Sequence, residues 1–216
     1  MPNDRTELSR TGGAAFIVGG VLFFARYVLE VMAGPPPSSG GEILVWVETN
    51  RFVLSLVSEV LFFASMSLIP AVIALYLRLA SVERALAAIG CAVIAVVIPV
   101  LSVLLIVHGR LVYPVYGLDI TAPGLAEFVV AVFYGGVHAV GLLMAVATFL
   151  LSLAMWRAVF GAWVAALGFV AVIADVVGAY PYLISPVVLF VCQLLFAAWF
   201  VAVGLKLFRT REAGSK

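Results

Sequence analysis

The chain has 216 residues, of which 65% are hydrophobic and 11% charged, against roughly 45–50% and about 25% in ordinary soluble domains. That composition excludes a water-soluble globule and points to a bilayer. Twelve Lys and Arg stand against eleven Asp and Glu, a net charge of +1, so there is no basic footprint for nucleic acid and no acidic tail.

A membrane helix needs about 20 mostly apolar residues, and six stretches qualify: 12–33, 52–79, 85–107, 125–155, 159–179 and 183–208. The predicted fold is therefore all-α, a polytopic six-helix membrane bundle forming one domain over 1–216. The first span follows Arg5 and Arg10 as a secretory signal would. It is too long for a signal core, however, and holds Arg26 and Glu30, so it reads as a retained span. Pro70 and Pro99 fall inside spans two and three, where a lost backbone donor favours a kink. Cys91 and Cys192 lie in apolar runs and read as packing residues. Trp46, Tyr113, Tyr116, Tyr180 and Tyr182 sit near the outer boundary, as interfacial rings do.

Basic residues set the expected orientation. With the N-terminus inside, Arg5, Arg10, Arg78, Arg84, Arg157, Lys206, Arg209, Arg211 and Lys216 fall on the cytoplasmic side. Arg51 and Arg110 fall outside and Arg26 within a span, so both termini are expected to be cytoplasmic. The loops 34–41 and 117–124, rich in Gly and Pro, become the longer outer connections.

Ionisable side chains inside a bilayer cost about 2.5–3.5 kcal/mol each on insertion scales, so they are kept when paired, wet or used. Arg26 and Glu30 share a face of span one, and Glu59 lies at a similar depth in span two, which makes an Arg26–Glu59 pair geometrically feasible. Glu48, Arg51, Ser55, Glu59, Phe62 and Met66 form one stripe of span two, provided that helix begins before Phe52. Span four repeats the pattern with Glu127, Tyr134 and His138, span five adds Asp175 near its outer end, and span six adds Gln193. Most intramembrane polar groups thus fall in the outer half, with Glu30, Glu59, Glu127 and Asp175 outnumbering Arg26.

Two accounts fit this asymmetry. The polar groups hold six helices in register, with Arg26 neutralising Glu59 or Glu30 and His138 bonding a backbone carbonyl. Alternatively they line an acid-rich pocket, in which a carboxyl kept protonated by apolar surroundings acts as an acid. In that enzyme reading Glu59, Asp175 and His138 are the catalytic candidates. Arg26, Glu30, Phe62, Phe63, Glu127, Tyr134 and Trp163 are the substrate-binding ones, the rings stabilising a developing carbocation. The substrate is then a membrane lipid or apolar isoprenoid and the reaction a cyclisation or isomerisation without cofactor. No His-Glu-x-x-His and no phosphate cradle occurs, since Gly12-Gly13 and Gly19-Gly20 lie within an apolar helix. A non-catalytic sensor or assembly component and a proton-coupled carrier are the other classes, the carrier disfavoured by the apolar inner half.

Ser9-Arg10-Thr11-Gly12-Gly13, Thr49-Asn50-Arg51-Phe52, Gly136-Val137-His138-Ala139-Val140-Gly141-Leu142-Leu143, and Phe160-Gly161-Ala162-Trp163 with Leu167-Gly168 together resemble a bacterial family of six-span proteins catalogued as a domain of unknown function. The resemblance implies the fold and bacterial inner-membrane residence, with Arg51 and His138 on matching positions, and implies no activity. Arg26, Glu59 and Asp175 match no motif of that family. In its constellation of acids and rings alone, the chain is similar to small integral membrane terpene cyclases.

Overall fold

The computed structural model describes residues 2–156 and 160–209, with backbone alone for 2–5. Arg157, Arg211 and Lys216 of the basic-residue distribution, and Val159 at the expected start of span five, lie outside the described residues. The described residues form six α-helices: α1 (Pro2–Ala33), α2 (Gly40–Leu79), α3 (Arg84–Val112), α4 (Pro123–Trp156), α5 (Ala162–Gly178) and α6 (Pro186–Arg209). Five are long and apolar enough to cross a membrane, and α5 is a shorter apolar helix of 17 residues. The chain is thus a helical, multi-pass membrane protein.

Each helix runs antiparallel to its predecessor, and α6 returns against α1 to close the ring, with α2 also reaching α4. The α1 glycines explain how that helix serves two neighbours. Gly12 and Gly19 lie against α2, at Ala74 and Ser67, while one residue on, Gly13 and Gly20 lie against α6, at Gly204 and Phe200. A Cβ on Gly13 would stand 2.6 Å from the Phe208 backbone nitrogen and 2.7 Å from the Gly204 carbonyl. Backbone meets backbone there, as small residues permit between membrane helices.

Local chemistry sets the ends. Gly34, at φ +74°, ends α1 in the left-handed region, and extended Ser39 (φ −115°, ψ 142°) opens α2, its hydroxyl bonding Glu42 at 2.8 Å. Between α3 and α4, Tyr116 (φ 52°) and Gly117 (φ 77°) make a two-residue turn closed by the Val115–Leu118 bridge. Arg110 pins that turn by donating to the Tyr113 and Leu118 carbonyls at 3.2 and 2.9 Å. Pro70 and Pro99 stay within unbroken helices, and both cysteines are free and buried.

Two apolar clusters fill the ring. The larger runs from Phe16, Leu75 and Leu79 at the end holding the start of α1 and the end of α6 up to Leu104 and Phe133. The smaller, at the opposite end, joins Ala33, Ile43, Val47, Leu54, Leu111, Val112, Ala126 and Val129. The helices overhang any single bilayer: at 1.5 Å per residue α2 is about 60 Å long and α4 about 51 Å, against a hydrocarbon thickness of about 30 Å.

Candidate functional site

The expected polar residues separate into local pairs. Arg26 bonds Glu30 of its own helix, one turn on, and both side chains are largely withdrawn from the surface, at 12% and 19% exposure. Arg26 lies within electrostatic reach of His108 on α3, and the charges of Glu30 and Arg26 are both felt at the Tyr134 hydroxyl on α4. The Arg26 Nε is buried without a partner.

Glu59 does not meet Arg26. It is exposed on α2 and accepts a hydrogen bond from Tyr113, at 3.0 Å, whose hydroxyl also faces the Ser55 carbonyl at 3.2 Å. Partial burial first, then the Glu59 carboxylate, pushes the Tyr113 phenol above its ordinary pKa, so it remains a donor. The polar stripe of α2 is real but faces outward: Glu48, Arg51, Glu59 and Phe62 are exposed, while Leu54, Val57, Ser58, Leu61 and Ser65 on the other side are buried. Burial of the apolar and small face decides the rotation, and the charged stripe follows.

Phe62 and Phe63 are 39% and 58% exposed and pack edge-to-face on each other on the outside of the bundle. Trp163, 54% exposed, sits at the opposite end of the molecule from Glu59, beneath Lys206. These three rings do not join Tyr134 around a common substrate volume. Tyr134 alone of the four packs inward, against Phe133.

Glu127 has a backbone task. Its Oε1 accepts from the Gly40 nitrogen at 2.6 Å, capping the start of α2 from α4, where the opening dipole of α2 favours an anion. His138 Nδ1 donates to the Ala179 carbonyl at 2.8 Å, and its ring stands edge-to-face on Tyr180 at 4.7 Å. That is the carbonyl-bonded histidine expected under the packing account, tying α4 to the end of α5.

His108 is not among the candidate residues of the sequence analysis. It is 4% exposed, bonded through Nδ1 to Ser58 Oγ at 2.7 Å, and stacked near Phe133 at 4.4 Å. The available signal was Ser58, which lies on the small-residue face of α2 rather than on the charged stripe.

Asp175 differs from all of these. Its carboxyl reaches toward the Thr148 hydroxyl of α4 and lies within electrostatic range of Cys192 on α6. Yet Asp175 Oδ2 and Thr148 Oγ1 both lack a partner in hydrogen-bonding geometry. One turn along α4, the fully buried Ser152 hydroxyl and the Trp199 indole N–H converge on Gly168 of α5, and they too lack partners. Four of the five unpartnered buried atoms among the described residues thus lie along the α4–α5–α6 seam. Thr148, Ser152 and Trp199 were not anticipated, because one hydroxyl or indole in an apolar helix carries no periodic signal.

Among the described residues, no three His, Cys, Asp or Glu side chains gather as a metal ligand set. No family model matches this chain, and neither a curated protein nor a solved structure matches it.

Proposed function

We propose that this is a six-span bacterial inner-membrane protein with both termini cytoplasmic, and that it works there as a non-catalytic component, a sensor or an assembly partner. The distribution of Lys and Arg supports the orientation. The position of α5 in the ring, between α4 and α6, supports counting it as the sixth span despite its length of about 25 Å.

One observation carries the non-catalytic reading. Arg26, Glu30, Glu59, His108, Glu127 and His138 each have a partner inside the fold: Arg26 and Glu30 neutralise each other within α1, and the partners of the other four tie helix to helix or helix to turn. Helix overhang supplies the reason they are tolerated. Counting about 20 residues back from Leu79 reaches Glu59, and the same count from Trp156 reaches the neighbourhood of His138. Both then sit at the boundary of the hydrocarbon rather than deep within it, where charge is less costly.

The test is to introduce Glu59→Gln, His138→Gln and Asp175→Asn separately on the chromosome and score whatever phenotype deletion of the gene produces. This reading expects all three proteins to support the wild-type phenotype. Loss of it by any variant that still accumulates and folds would overturn the reading.

A second reading is favoured by the unpartnered Asp175 carboxyl. A membrane acid with no basic partner among the described residues, beside the Thr148 hydroxyl, is the one place left for acid chemistry on an apolar isoprenoid. It narrows the acid to Asp175, with Tyr134 and His138 the nearest of the other expected site residues by helix and depth. Unchanged product formation from isoprenoid substrates in Asp175→Asn rejects it.

A further inference from the structure

A cavity of roughly 490 Å³ opens between the start of α1, the end of α2 and the turn into α3. Its polar lining comes from Thr6, Ser9, Tyr76, Arg78, Ser81 and Arg84, and its apolar lining includes Leu77, which is 54% exposed on the outer surface of α2. Among the described residues, no acidic side chain lines it. Neither guanidinium is ion-paired among the described residues, where the single ion pair is Arg26–Glu30. We infer that this cavity is a binding site for a phosphate-bearing anion, gripped between Arg78 and Arg84.

The chemistry of the walls selects that ligand. Two guanidiniums from opposite ends of one short turn present forked donors, the geometry that suits phosphoryl oxygens. The Tyr76 hydroxyl adds a neutral donor. The Ser9 and Ser81 hydroxyls already donate to the Leu207 and Arg78 carbonyls, so they shape the wall rather than bind the anion. The exposed Leu77 continues the pocket toward the surrounding hydrocarbon, which fits a phospholipid headgroup. Free phosphate would satisfy the same donors.

The experiment uses the full-length protein in nanodiscs. One arm titrates inorganic phosphate into zwitterionic discs. The other titrates phosphatidylglycerol into the discs and counts lipid retained by native mass spectrometry. Arg78→Gln/Arg84→Gln should weaken retention about tenfold for each arginine removed, and Arg84→Gln alone, at an exposed position, about tenfold. Arg10→Gln/Arg209→Gln, which removes two exposed charges at the same end but outside the cavity, should leave retention unchanged. Binding in the phosphate arm identifies a soluble phosphate ligand, and binding in the lipid arm alone identifies a headgroup. Binding in neither arm overturns the site, as does an equal loss in the Arg10/Arg209 control, which would show only general attraction of anions to a basic surface.

Discussion

The boundary layer near Arg26 and the seam between α4, α5 and α6 are both polar, but they treat their polar groups in opposite ways. In the boundary layer the expected site residues have partners: Arg26 with Glu30, Glu59 with Tyr113, Glu127 with the α2 N-terminus, His138 with Ala179. In the seam Asp175, Thr148, Ser152 and Trp199 carry buried atoms with none. Pairing converts the insertion cost of a polar group into helix register, whereas an unpaired group retains the cost and contributes no fastening. The contrast therefore assigns fastening to the first region and leaves the second as the place where chemistry remains open.

The largest way to break this comparison is Arg26→Ala, which strands the Glu30 carboxylate among apolar helices. A loss of about 3–5 kcal/mol is expected in reversible unfolding from mixed micelles, because removing one partner of a buried pair leaves an uncompensated charge. Gly168→Ala comes next. Its Cβ would enter the space of the Ser152 hydroxyl and come within 2.7 Å of Trp199 Nε1, an overpacking expected to cost about 1–3 kcal/mol by the same measurement. Ser58→Ala removes the partner of His108 Nδ1, and about 0.5–2 kcal/mol is expected, with Ser65→Ala as a control that touches no histidine.

The smallest effects sharpen the contrast. Glu59→Gln keeps an acceptor for Tyr113 at an exposed site and should change unfolding by less than about 1 kcal/mol. Asp175→Asn should also change it little, since no bond in the described structure is lost. A loss from Asp175→Asn as large as that from Arg26→Ala would place Asp175 within the fastening framework and erase the distinction between the two regions.

The sequence revealed the six helices and their turns because hydrophobic runs of membrane length are a strong signal. It set several helix starts too late. α1 begins at Pro2 rather than residue 12, and α2 at Gly40 rather than residue 52, because hydropathy detects the buried stretch and is blind to polar turns that extend the helix. Periodicity found the α2 stripe correctly and could not say which way it faced, since a charged stripe is compatible with an inner pocket or an outer surface. The deciding feature was the opposite face, where Ser58, Leu61, Ala64 and Ser65 are small or apolar enough to pack. The paired glycines at 12–13 and 19–20 were visible but unassigned. Their service to two neighbours at once emerges only when α6 closes the ring against α1.

The most direct test replaces the ion pair as a unit, with Arg26→Met and Glu30→Met in one protein. If the Arg26–Glu30 pair is structural, each member serving only to neutralise the other, the doubly substituted protein folds with most of the wild-type stability, far above Arg26→Ala alone, and reverses the phenotype of a deletion strain. A protein that folds as stably but leaves that phenotype unrelieved would contradict the account and return Arg26 and Glu30 to a functional site.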